Sequence, residues 1–89
     1  SFFMDEIASW RMKIDEIDVK LLKLLNERAE CAIQIGKIKA EKKMDVYDPE
    51  REIYILNRLC DKNKGPLCND TVRRLFEFLM KEARNLEKI

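Results

Sequence analysis

Apolar residues recur at alternating intervals of three and four along the first half of the chain: Ile7, Trp10, Ile14, Ile17, Leu21, Leu24, then Cys31, Ile35 and Ile38. That spacing, kept for roughly five heptads, predicts one long helix with a partner along its seam. Between Leu24 and Cys31 the pattern asks for another apolar side chain and receives Arg28. A guanidinium keeps its proton, so a cation at a seam position must be paired or hydrated there. The helix is expected from about Met4 to about Lys42. Asp5 and Glu6 suit its positive end, and Lys39, Lys42 and Lys43 its negative end. No role is expected of the residues ahead of Met4.

The pattern breaks at Lys43-Met44-Asp45-Val46-Tyr47 and restarts at Asp48-Pro49, an Asp N-cap followed by Pro at the first helical position. A second helix then runs through Arg51, Ile53, Leu56 and Leu59 to about Lys62, and Gly65-Pro66 is a stop. Asn69 or Asp70 can cap a third, whose apolar stripe is Val72, Leu75, Phe76, Leu79, Met80, Ala83 and Leu86. No segment alternates as a strand would. The expected fold is all-α, with three helices (long, short, medium) in a single domain spanning 1–89. A helix of roughly 38 residues is about 57 Å long, whereas a compact chain of this size has a radius of gyration of roughly 12 Å. The rest of the chain cannot cover such a rod from end to end. A second copy can, so an intertwined homodimer is expected, with the long helices antiparallel.

Composition adjusts this picture only slightly. The chain is 46% apolar and 39% charged with two Gly and two Pro, which favours long helices and few turns. A net charge of +1 provides no global field for nucleic acid or an anionic membrane, so neither is an expected partner. No apolar run approaches the ~20 residues that span a bilayer. Three cysteines without CxxC spacing, and no histidine, predict no metal site and reduced thiols packed as small apolar groups in a cytoplasmic protein.

The candidate chemistry lies in the charges. On an ideal helix Arg28 and Lys39 differ by about 20° in azimuth and about 16 Å in height, with Ile35 between them. Two long basic side chains leaning together could bracket a small anion. The alternative is a solvated Lys39 at the helix end and an Arg28 paired with an internal Glu. Asp48, Arg51 and Glu52 open the second helix, where each also has an ordinary helix-start role. Glu87 continues the Met80 and Ala83 side of the third helix; otherwise it is a frayed, exposed acid.

Together, Arg11, Leu21-Leu22, Leu24-Leu25, Glu27-Arg28, Ile35-Gly36-Lys37, Lys39 and Asp48-Pro49-Glu50-Arg51-Glu52 resemble the all-helical chorismate mutases, over about Ile7 to Glu87. The resemblance implies an intertwined dimer with two active sites. It also implies conversion of chorismate to prephenate, a Claisen rearrangement without metal, cofactor or covalent intermediate. Arg28 would hold one carboxylate of the dianionic substrate, and the partner subunit's Arg11 the other. Lys39 would donate to the ether oxygen, and Glu87 would approach the same oxygen. Glu52 and the Asp48 backbone would hold the ring hydroxyl, Arg51 would add positive potential, and Ile35 and Met80 would shape apolar walls.

Two positions depart from the common bacterial pattern. Glu87 stands where a glutamine is frequent, and a carboxylate donates only when it holds a proton. Ala83 stands where a hydroxyl residue often binds a carboxylate, leaving that bond absent or passing it to backbone or Arg84. Asn63-Lys64-Gly65-Pro66 with Asn69-Asp70-Thr71 resembles members joined to a shikimate-pathway synthase, so fusion to or association with such an enzyme is an added expectation. Two rivals remain. An isochorismate pyruvate-lyase shares the fold but differs in the loop before the second helix, where this sequence matches the mutases. A non-catalytic helical dimerisation or regulatory module explains the heptads, but not Arg28 together with Lys39 and the Arg51-Glu52 pair.

Overall fold

The computed structural model describes all residues 1–89. Three helices make up the fold: α1 (Phe2–Lys42), α2 (Pro49–Lys62) and α3 (Asn69–Glu87). It is all-α, in the expected order of lengths, and no helix is long and apolar enough to cross a membrane. α1 begins at Phe2 rather than Met4 because Ser1 caps it. The Ser1 hydroxyl accepts from Met4 N at 3.2 Å, and the Ser1 carbonyl accepts from Asp5 N at 3.0 Å. At the other end Lys43 takes a left-handed conformation, φ 55°, and Met44 N donates to the Lys39 carbonyl at 2.8 Å. That reversal closes the helix and frees the chain to turn.

α2 starts as its sequence dictates: Asp48 Oδ1 accepts from Arg51 N at 3.1 Å, and Pro49 occupies the first turn. The start of α3 differs from expectation. Cys68 stands at the N-cap and makes no side-chain capping bond. Asn69 is drawn elsewhere, its amide oxygen accepting from Asn63 Nδ2 at 2.8 Å, while Asp70 pairs with Arg73 at 3.2 Å. The preceding turn thus occupies one candidate cap, and a helix neighbour one turn on occupies the other.

By packing, the chain divides into Ser1–Glu30 and Cys31–Ile89. Within the first unit no side chain is buried. Its seam residues Ile7, Trp10, Ile14, Ile17, Leu21 and Leu24 form the expected stripe, yet each is 43–67% exposed.

The second unit has the core, built from Ala32 and Gly36 of α1, Cys60 of α2, and Val72 and Met80 of α3. In α2 the inward face runs through Glu52, Leu56 and Cys60, which turns Ile53 outward at 59% exposure, against the expected stripe. In α3 the inward face is Val72, Phe76, Met80, Ala83 and Glu87, which leaves Leu75 exposed. All three cysteines are free, and only Cys60 packs as a buried apolar group.

Gly36 decides how α3 meets the end of α1. A Cβ there would lie 2.6 Å from both the Cα and the carbonyl oxygen of Glu87. Backbone atoms cannot yield at that distance, so only glycine admits the last turn of α3.

Candidate active site

Four segments of the second unit converge: the end of α1, the 43–48 connection, the start of α2 and the last turns of α3. Lys39 is their common point. Its Nζ donates to the Val46 carbonyl at 2.8 Å and lies 2.7 Å from Glu87 Oε1. The two side chains are only 15% and 10% exposed. Neither the solvated lysine nor the frayed acid describes this arrangement. Glu87 Oε1 is fully buried and accepts no directed hydrogen bond, although the ammonium is beside it. A pair this poorly solvated persists because each charge neutralises the other.

Around this pair, Glu52 is held by Arg84. One guanidinium nitrogen, Nη1, donates to Glu52 Oε1 at 2.7 Å and to Oε2 at 2.5 Å. The same guanidinium lies over the Tyr47 ring, 5.3 Å from its centroid. The bond to Glu52 is the main reason the Arg84 pKa is held above its ordinary value. Arg84 entered the sequence reading only as a stand-in for the hydroxyl missing at Ala83; the structure directs it to Glu52 instead. Its place four residues after Met80 and three before Glu87, on the inward face of α3, is the signal that could have found it.

The remaining candidates are in varied settings. Asp48 spends Oδ1 on the helix cap. Arg51 is exposed and lies over the Tyr54 ring at 5.4 Å. Met80 is 4% exposed, Ala83 is half-buried, and Ile35 is exposed at 49%. An open concavity of about 540 Å³ is bordered by Lys39, Tyr47, Asp48 and Glu50. In the first unit, Arg28 is half-buried and makes no hydrogen bond or ion pair, so its pairing with an internal Glu is not realised. Arg11 is exposed and likewise has no acidic partner in the chain.

The arrangement offers a fixed, poorly solvated cation, an acid of equally poor solvation touching it, and a carboxylate clamped by Arg84 as an acceptor. An ammonium and a carboxylate so placed can bind a small polar molecule that offers an acceptor to one and a donor to the other.

Comparison with known proteins agrees with this chemistry. Residues 10–88 match the family described as chorismate mutase type II. The chain is 38% identical over 89 residues to a bifunctional chorismate mutase/prephenate dehydratase of Pseudomonas aeruginosa, covering 94% of this chain and 24% of that protein. It thus spans about a quarter of the length of that relative. A chorismate mutase of Methanocaldococcus jannaschii is 35% identical over 86 residues, covering 96% of this chain and 87% of that one. Among solved structures, a Thermus thermophilus chorismate mutase superposes with a TM-score of 0.91 at 34% identity, over 93% of this chain and 94% of that chain. The Helicobacter pylori chorismate mutase, solved in complex with prephenate, gives 0.84 at 29% identity, over 92% of this chain and 89% of that chain.

Proposed function

This chain belongs to the type II chorismate mutase family, and on that footing we propose that it rearranges chorismate to prephenate in aromatic amino-acid biosynthesis. Lys39 carries this reading: its ammonium is withdrawn from water and held in place by Val46 and Glu87. As the ether C–O bond breaks and the new C–C bond forms, charge gathers on the ether oxygen. A donor fixed there beforehand stabilises the transition state more than the ground state. Glu87 approaches the same oxygen and, ion-paired with Lys39, orients its ammonium.

The substrate is a flexible dianion, and gripping both carboxylates selects its folded, reactive conformer. Arg28, cationic and without an anion of its own, takes one carboxylate. The partner subunit's Arg11 takes the other, because Arg11 and Arg28 are about 25 Å apart along one ideal helix. The uncovered apolar stripe from Ile7 to Leu24 supports an intertwined homodimer that would bury it. Glu52 and the Asp48 backbone receive the ring hydroxyl, Arg51 adds positive potential, and Ile35 and Met80 supply apolar walls. The reaction calls on no cofactor and fits a cytoplasmic setting. Likeness to two-function proteins supports work in company with a second enzyme of aromatic biosynthesis, fused or associated.

The test is direct. Incubated with chorismate, the protein should consume it and yield an equal amount of prephenate. Untouched chorismate overturns the proposal, and release of pyruvate from isochorismate in its place would mark a lyase.

A further inference from the structure

We propose that Arg84 is a positioning residue, clamping Glu52 and the Tyr47 strap so that the site discriminates for the ring hydroxyl of its substrate. The inference rests on the mutase reading above, which gives Glu52 the hydroxyl.

The Arg84–Glu52 bond links α3 to α2 across 32 positions of sequence, between side chains 28% and 22% exposed. A glutamate has three rotatable bonds and, left alone, presents its carboxylate in many orientations. One guanidinium nitrogen bonded to both oxygens fixes the carboxylate and still leaves each oxygen a lone pair for a ligand. An ionised carboxylate so held only accepts, so it rewards a ligand hydroxyl and repels an ether or carbonyl oxygen placed there. The guanidinium is itself seated on the Tyr47 ring, and Tyr47 directly follows Val46, whose carbonyl receives Lys39. One side of α3 therefore touches both halves of the site: Arg84 holds Glu52 and Tyr47, and Glu87, three residues on, meets Lys39.

This differs from Arg84 serving as the carboxylate ligand that Ala83 lacks. With Nη1 spent on Glu52 and its face on Tyr47, Arg84 works through its neighbours. The two roles separate in a double-mutant cycle.

Chorismate kinetics of the wild type, Arg84→Gln, Glu52→Gln and the double variant would be measured together. Alongside, two competitive cyclic dicarboxylate inhibitors would be titrated, one with the ring hydroxyl and one without. Arg84→Gln should raise KM about tenfold and change kcat by less than about threefold. It should also remove most of the preference for the hydroxylated inhibitor, and add nothing further in the Glu52→Gln background. Arg84→Lys, which keeps the charge but has no planar face to lie on the Tyr47 ring, should rescue only partly.

Equal losses for both inhibitors, or losses from Arg84→Gln that persist in full without Glu52, would overturn the assignment. If Arg84→Gln unfolds, Tyr47→Leu removes the platform alone and should weaken the same preference; an unaltered preference there counts against the proposal. A wild type that leaves chorismate untouched would sink the mutase reading itself. Thermal melting of the same four proteins reports the Arg84–Glu52 coupling independently of activity, and additive shifts in Tm would refute the clamp.

Discussion

Lys39 has the local sequence of an ordinary solvated helix-end lysine, yet its ammonium is bonded to Val46 and sits against Glu87. Replacing it by alanine removes the donor at the position where charge develops. Lys39→Ala should lower kcat by about 10²–10³, corresponding to about 2.7–4 kcal/mol of barrier. Steady-state kinetics on protein of unchanged helicity would check this. Glu87 contributes through that ammonium. Paired with Lys39, its carboxylate orients the donor, so Glu87→Ala should lower kcat with little change in KM. An unchanged kcat in the variant would remove Glu87 from the chemistry. Cys68 gives a separate test. It is exposed, and the hydrogen bond from Thr71 lowers its pKa, which raises its thiolate fraction near neutral pH. Iodoacetamide should label Cys68 well before buried Cys60, and Thr71→Ala should move the pH midpoint of labelling upward.

Elements were more legible than the contacts between them. The period of the apolar pattern fixed three helices and put Glu87 on the same side of α3 as Met80 and Ala83. It could not reveal that the Glu87 carboxyl is withdrawn from water, because that depends on α3 approaching the one place in α1 where no Cβ intervenes. Nor could it pair Arg84 with Glu52, a bond that no local spacing encodes. The α3 cap was missed for a related reason: Asn63 competes for Asn69, and propensity does not record competition. Gly36→Ala tests the close approach. The new methyl must push the Glu87 backbone away, costing about 1–3 kcal/mol of stability as overpacking usually does. It should also separate Glu87 from Lys39, so kcat should fall by more than the loss of folded protein explains. In a Glu87→Ala background that extra loss should vanish. Thermal melts and kinetics on the four proteins would decide.

At the scale of the whole molecule, the heptad spacing predicts an apolar seam too long for one chain to cover. In the first unit that apolar stripe is present and uncovered. A second copy pairing antiparallel is the cover we propose, and it makes each site a joint product, with Arg28 from one chain and Arg11 from the other. Mixing two inactive variants tests that directly. Arg11→Ala and Arg28→Ala homodimers should each be nearly inactive. Unfolded together and refolded as an equal mixture, half the dimers should be mixed, each with one intact site, restoring about a quarter of wild-type activity. No recovery, despite mixed dimers being present, would mean that both arginines act within one chain, contradicting the shared site.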